Sequence, residues 1–307
     1  MNMNGSRTFT LASVPAAAGL AWHQYRRAVR AVDAHPAIAP DLPGYSRQIP
    51  TPWGSVAYRL VPGDPRRPAL VLVHGWGKTA DSAWWPVLAD CRRTMLAVDL
   101  PGHGRSRLDD RFSFPLAAEA VEKAIDDARL DTPVLVGHSM GGPIALTSLR
   151  RQGADSFSGL IAIATSAHWV RPRLRVMMAM APYAMAPRSP LLLRAERSDL
   201  RNTPHLAHHI AWSYTRRPTR RLLDETAAAL SRFDARNWSD LTLPPQTTWV
   251  VAKQDSILAP EYQLASARHF AATIVEVDAQ HSMVVQAPEA VIDILERFGE
   301  DRPGRTA

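Results

Sequence analysis

The sequence predicts an α/β protein with a mostly parallel, eight-stranded sheet, helices on both faces of the sheet and a helical cap inserted after the sixth strand. Two observations predict this fold. Uninterrupted apolar runs, of which residues 69–73 are the clearest, are typical of strands buried on both faces. Helical patterns alternate with these runs, as in parallel strands joined by helical crossovers. The 307 residues, 46% of them apolar, suffice for one large core.

The predicted elements follow one another in order from about residue 45. The predicted strands are residues 46–49, 55–60, 69–73, 94–98, 134–136, 159–164, 247–252 and 273–277. The predicted helices are residues 82–91, 113–130, 143–151, 261–270 and 288–298. Pro288 suits the first position of the last helix, because the N–H that proline lacks has no intrahelical partner there.

The chain divides into four predicted segments. They are an N-terminal helix or tail (1–40), the first part of the α/β core (41–166), an inserted helical lid (167–236) and the second part of the core (237–307). Between Ala167 and Ala235, twelve arginines against five carboxylates give a net charge of +7, which equals that of the whole chain. We expect solvated faces for these arginines, with an anionic membrane surface or an acidic substrate group as the alternative.

The N-terminal segment contains a predicted amphipathic helix at residues 19–34, with Leu20, Val29 and Val32 on one side and arginines on the other. A helix packed on the domain, a peripheral membrane contact and a secretory signal stay open as interpretations. Basic residues where a cleavage site should lie disfavour the signal. Cys91 is the single cysteine and is expected in the core, so we expect a cytoplasmic protein without disulfides, with peripheral membrane association as the alternative.

The strongest chemical signal is Gly-His-Ser-Met-Gly at residues 137–141, between the apolar run 134–136 and a helical pattern. We expect a strand, an abrupt turn and a helix, with Ser139 at the apex in a strained backbone conformation. Gly137 and Gly141 permit this turn because they have no side chain to clash. The hydroxyl would lie near the positive end of the helix, which makes Ser139 the candidate nucleophile.

A serine nucleophile needs a general base, and the base needs an orienting acid. In a parallel sheet such groups gather beyond the carboxyl ends of the strands. Asp255 follows the predicted strand 247–252 and His281 follows the strand 273–277, so these two residues are the candidate acid and base. Asp278 is the alternative acid, because it lies close to the histidine in sequence.

In combination and in this order, the motifs resemble the α/β-hydrolase superfamily over residues 69–298. Residues 74–76 (His-Gly-Trp) are similar to the family's oxyanion strand end, residues 99–106 to its D-x-x-G-x-G-x-S turn, and residues 137–141 to its nucleophile elbow. Ala252 departs from the pattern, because the family usually has glycine three residues before the acid.

The resemblance implies catalysis by Ser139, Asp255 and His281, with an oxyanion hole formed by the backbone N–H groups of Trp76 and Met140. For Met140 the residues alone agree, because it is the first residue of the helix after the nucleophile and helix N-termini bind anions. The mechanism implied requires no metal ion and no organic cofactor.

Two groups of residues are candidate substrate contacts. His74 and His138 adjoin the site, although they and His103 are interpreted mainly as packing and hydrogen-bonding residues. Asp99 is expected to anchor its turn. The second group belongs to a methionine-rich run that forms either an ordinary lid core or a pliable wall for an apolar acyl chain. Its members are Met177, Met178, Met180 and Tyr183.

These expectations converge on a carboxylesterase- or lipase-like serine hydrolase that cleaves a carboxylic ester with an apolar acyl or alcohol part. A carbon–carbon bond hydrolase or an acyltransferase would use the same triad, and a non-catalytic ligand-binding protein on this fold is the alternative from another class. The expected partner is a small-molecule ester, including a lipid-like one. No nucleic-acid motif or base-stacking platform indicates a nucleic-acid partner.

Overall fold

The computed structural model describes residues 13–169, 190–216 and 218–299. Nine strands in these ranges form one mixed sheet. They are β1 (Tyr45–Thr51), β2 (Gly54–Val61), β3 (Leu70–Val73), β4 (Met95–Asp99), β5 (Arg107–Leu108), β6 (Val134–His138), β7 (Gly159–Ile163), β8 (Thr247–Ala252) and β9 (Thr273–Val277). All eight predicted strands are present to within a few residues, which confirms the predicted α/β class.

The strand order along the sheet is β1-β2-β4-β3-β6-β7-β8-β9. The β1–β2 and β2–β4 pairs are antiparallel, and every pair from β4 to β9 along this order is parallel. Strand β5 adds a short antiparallel pairing to β2, with Gly54 opposite Leu108. Two residues are too few to produce a hydrophobic pattern, which is why the sequence does not reveal β5. The parallel arrangement brings the carboxyl ends of β6, β8 and β9 to one edge of the sheet.

Ten α-helices in the described ranges accompany the sheet. They are α1 (Ser13–Asp33), α2 (Ala80–Asp90), α3 (Phe114–Asp127), α4 (Gly141–Gln152), α5 (Pro190–Asn202), α6 (Ala207–Thr215), α7 (Arg220–Leu230), α8 (Pro260–His269), α9 (Met283–Gln286) and α10 (Pro288–Arg297). Helices α3, α4, α7 and α8 contribute to the core on one face, with Val71 from β3. Helices α2, α9 and α10 contribute to the other, with Leu72 and the buried Cys91.

The described part of the predicted insertion is helical and consists of α5, α6 and α7. Helix α7 packs on the main core through Leu222 and Leu230. The N-terminal helix α1 contacts α5, and Val32 packs in an apolar cluster with Leu200 and Ile210. Within the described ranges, every helix is too short or too polar to cross a membrane.

Candidate active site

Ser139 stands at the turn between β6 and α4 with a φ of 52°, a left-handed conformation that non-glycine residues rarely adopt. Its N–H donates to Ile163 O (2.9 Å), and its carbonyl accepts from Gly142 N (3.0 Å) and from Thr165 Oγ1 (2.6 Å). These hydrogen bonds hold the strained residue in place. The left-handed φ of Ser139 agrees with the strained conformation predicted at the apex of the turn.

The glycines around Ser139 are required by close backbone contacts. A Cβ on Gly137 would lie 2.5 Å from Gly141 O, and a Cβ on Gly141 would overlap Val73 O. Neither of these two glycines has a positive φ, so the space, and not the backbone dihedral, excludes a side chain. Strand β6 and helix α4 can therefore approach closely enough to form the sharp turn.

The structure brings Ser139, Asp255 and His281 together. His281 Nε2 lies 2.9 Å from Ser139 Oγ, and His281 Nδ1 lies 2.7 Å from Asp255 Oδ2. Because the carboxylate accepts, Nδ1 carries the proton and the lone pair of Nε2 faces the serine hydroxyl. Asp278, the alternative acid, is exposed and accepts from Gln254 Nε2 (2.8 Å) instead. The geometry therefore selects Asp255 as the partner of His281.

Asp255 is buried, and its carboxylate accepts from a full set of donors. Oδ1 accepts from the N–H groups of Ile257 and Leu258, each at 2.8 Å, and Oδ2 accepts from Gln263 Nε2 (2.9 Å) as well as from His281. Such a set offsets the cost of removing a charge from water. Ala252, where the family usually has glycine, is tolerated as a fully buried residue at the end of β8.

Gln263 was missed by sequence reasoning. Its side chain is fully buried in α8, where Nε2 also donates to Leu258 O (2.7 Å) and Oε1 accepts from Ala252 N (3.0 Å). It thereby joins the end of β8, the loop after it and the acid. In the sequence, Gln263 is a single glutamine in the helix that follows the loop of Asp255. A single glutamine forms no motif with a characteristic spacing, so nothing in the sequence distinguishes it.

His138 directly precedes the nucleophile and packs beside the base, with the centroids of the His138 and His281 rings 5.4 Å apart. Its Nε2–H donates to His281 O (2.9 Å), so it fixes the backbone of the base. Burial, followed by the nearby His281, lowers the pKa of His138 to about 3, which keeps the ring neutral at ordinary pH. It also lines a small cavity with Lys78, Tyr214 and Gln286, so a substrate contact through His138 stays a prediction.

His74 is completely buried, and both of its ring nitrogens are bonded to the backbone. Leu100 N–H donates to Nε2 (3.1 Å), and Nδ1–H donates to Gly75 O (2.9 Å). Burial lowers the pKa of His74 to about 4. The ring therefore has neither exposed surface nor a free nitrogen to offer a substrate, so the predicted substrate contact through His74 does not agree with the structure.

His103 packs edge-on against His74, with ring centroids 5.1 Å apart, and against Phe112. Burial, followed by the neighbouring His74, lowers the pKa of His103 to about 3. Asp99 anchors the turn, as predicted: its carboxylate accepts from Ala80 N (2.8 Å) and from the backbone and side chain of Arg105 (both 3.1 Å).

Trp76 and Met140 flank the nucleophile. A Cβ on Gly75 would lie 3.2 Å from Ser139 Cβ, so the chain entering Trp76 passes directly beside it. Met140 has helical dihedrals (φ −55°, ψ −28°) at the start of α4, where backbone N–H groups have no intrahelical acceptor. The Trp76 indole donates to Thr226 Oγ1 (2.7 Å), which ties this loop to helix α7.

The remaining predicted substrate contacts, Met177, Met178, Met180 and Tyr183, lie outside the described residues. Across residues 13–169, 190–216 and 218–299, no group of three or more His, Cys, Asp or Glu residues is arranged to hold a metal ion.

A family model described as the alpha/beta hydrolase family matches residues 70–294. The match covers well over half of the chain and includes the turn of Ser139 and the loops of Asp255 and His281. The chain therefore belongs to the alpha/beta hydrolase family, as the resemblance implied.

Curated relatives match only parts of this chain. The biotin biosynthesis bifunctional protein BioHC of Cellvibrio japonicus is 35% identical over 124 residues, which cover 39% of this chain and 22% of that protein. The sn-1-specific diacylglycerol lipase ABHD11 of Xenopus tropicalis is 33% identical over 95 residues, which cover 30% of each chain. The matched regions thus span less than a third of the length of either relative.

Solved structures match over most of the chain at low identity. A thermophilic esterase from Thermogutta terrifontis superposes with a TM-score of 0.68 at 20% identity, covering 83% of this chain and 98% of that chain. This likeness shows a shared fold.

The three buried imidazoles predict acid sensitivity of the fold. The pKa values of His74, His103 and His138 are lowered to between about 3 and about 4, whereas imidazoles in an unfolded chain are protonated below about pH 6.5. The unfolded state then binds more protons, so stability falls as pH drops below about 6.5, by up to about 1.4 kcal/mol per pH unit for each imidazole.

Urea unfolding at about pH 5 and about pH 7.5 tests this. In His103→Gln the difference in unfolding free energy between the two conditions should shrink by up to about 2 kcal/mol, because one buried titrating group is lost. The exposed His205 provides the matched control, and His205→Gln should leave the difference unchanged. An undiminished difference in His103→Gln would contradict the account.

Proposed function

We propose that this protein is a serine hydrolase that cleaves carboxylic esters through a serine-bound acyl intermediate. The observation that carries the proposal is the continuous chain of hydrogen bonds from Asp255 through His281 to Ser139, with separations of 2.7 and 2.9 Å. A buried carboxylate that orients an imidazole against a hydroxyl is the arrangement that turns serine into a nucleophile.

In the proposed reaction, His281 Nε2 takes the proton of Ser139 as Oγ attacks the ester carbonyl. Asp255 keeps Nδ1 protonated and stabilises the imidazolium that forms. The backbone N–H groups of Trp76 and Met140 donate to the oxyanion of the tetrahedral intermediate. The imidazolium then protonates the departing alcohol. Water, deprotonated by the same imidazole, releases the acid and restores the serine.

An apolar acyl or alcohol part is the substrate feature that the chain favours. Methionines of the insertion (Met177, Met178, Met180) are proposed as a pliable wall for it, with Tyr183 beside them. The family membership and the esterase and lipase names among the related proteins support ester chemistry. The reaction needs no metal ion or cofactor in this proposal.

Replacement of Ser139 by alanine tests the proposal directly. With p-nitrophenyl esters of increasing acyl length, Ser139→Ala should lower kcat at least about 10⁴-fold, because the nucleophile is lost. Ser148→Ala is the matched control: Ser148 is buried about two helix turns beyond the elbow in α4, and its hydroxyl has no hydrogen-bond partner in the described ranges.

Retained turnover in Ser139→Ala, or an equal loss in Ser148→Ala, would contradict the assignment. Product analysis with added alcohols separates hydrolysis from acyl transfer, and a vinylogous diketone substrate detects carbon–carbon bond cleavage on the same residues.

A second test addresses the support of the acid. Gln263→Leu removes a donor to Asp255 Oδ2, and we expect kcat to fall about 10- to 100-fold with KM little changed, because a hydrogen bond to a charged group is lost. Gln254→Leu makes the same substitution at a glutamine that donates to Asp278, and it should leave kcat unchanged. Equal effects of the two substitutions would show that Asp255 needs no such support.

A further inference from the structure

The N-terminal helix α1 presents an outer face that the proposed reaction does not use. Over residues 19–33, four side chains are partly buried and the rest are exposed. The partly buried ones follow helical spacing and define the packed side: Tyr25, Ala28, Val29 and Val32. Because α1 contacts α5 and Val32 packs on the α5–α6 cluster, the packed side faces the insertion and the opposite side faces solvent.

The solvent side is basic and uncompensated. Arg26, Arg27 and Arg30 are exposed, and none makes an ion pair with another residue of the described ranges. Other exposed arginines are paired with carboxylates, among them Arg47 with Asp127 (3.4 Å) and Arg150 with Asp240 (2.8 Å). The charge of α1 is therefore available to a ligand of opposite sign.

The same helix carries exposed apolar side chains. Trp22 and Leu20, with exposed fractions of 61% and 60%, are the two most exposed large apolar residues of the described ranges. Trp22 also stacks on Tyr25, with ring centroids 5.5 Å apart. A tryptophan and a leucine beside arginines are typical of helices that lie on a lipid surface, where apolar groups enter the headgroup region and arginines meet anionic headgroups.

We propose that α1 is a docking surface for anionic phospholipid membranes, formed by Leu20, Trp22, Arg26, Arg27 and Arg30. Charge complementarity selects the anionic lipid, and the exposed aliphatic Leu20, which offers no ring for a base to stack on, favours a membrane over RNA. Because α1 packs on the insertion, docking brings the insertion side of the protein to the lipid. The docking surface shares no residue with the proposed catalytic site.

Co-sedimentation of the full chain with vesicles tests the proposal. Vesicles of phosphatidylcholine with about 30% phosphatidylserine should bind the protein, and pure phosphatidylcholine vesicles should not, because the arginines need anionic headgroups. The triple substitution R26Q/R27Q/R30Q should weaken the partition at least about tenfold, as should salt raised to about 0.5 M.

The matched control removes the same charge elsewhere. Arg66, Arg92 and Arg107 are highly exposed arginines, each near a carboxylate, and R66Q/R92Q/R107Q should leave vesicle binding nearly unchanged. Trp22→Ser separates the contribution of the apolar side chain from that of the charges. It should weaken vesicle binding without altering the net charge of the protein. Turnover of a soluble p-nitrophenyl ester should be equal in all variants and reports that each is folded.

Absent binding to anionic vesicles, or an equal loss in both arginine triples, would overturn the proposal. Binding to a poly(U) RNA that is lost with R26Q/R27Q/R30Q, without vesicle binding, would assign the surface to nucleic acid and also overturn it. Because the soluble-ester assay is read separately, failure of membrane docking is distinguishable from failure of the proposed catalysis.

Discussion

The left-handed backbone of Ser139 is the constraint on which the geometry of the site depends. Such a conformation persists only where the surroundings enforce it. Here the enforcement comes from the hydrogen bond to Ile163 O in β7, from the Thr165 hydroxyl and from the close approach of β6 and α4 at Gly137 and Gly141. The parallel direction of the strands then matters, because β8 and β9 must end at the same edge as β6 to bring Asp255 and His281 to the hydroxyl.

The buried polar groups around this turn are arranged so that one imidazole can serve as the base. His74 and His138 have their hydrogen bonds to backbone atoms, and burial lowers their pKa values. Both rings are therefore neutral, and each donates a hydrogen bond to a backbone carbonyl: His74 to that of Gly75 and His138 to that of His281. The negative charge of Asp255 is surrounded by donors from the β8–α8 loop and from Gln263. The pairing of Asp255 with His281 therefore does not rest on a single contact.

Much of this arrangement was predictable from the sequence, because the signals are local. Apolar runs give the strands, Gly-x-Ser-x-Gly gives the turn, and residues that follow successive strands give Asp255 and His281. The sequence favours Asp255 over Asp278, because Asp278 directly follows the end of its strand, and the coordinates give Asp278 a different partner, Gln254. Gln263 and Thr226 were not predictable, because each acts through a tertiary contact that leaves no spacing pattern. The two-residue strand β5 was too short to leave a pattern.

The central claim is that His281 activates Ser139 as the nucleophile. A fluorophosphonate probe, which bonds covalently to an activated serine, tests it when the labelled protein is digested and the adduct is located by mass spectrometry. The account predicts one adduct, on Ser139, that disappears in Ser139→Ala and forms far more slowly in His281→Gln. An adduct on another residue, or labelling of Ser139 at an undiminished rate without His281, would contradict it.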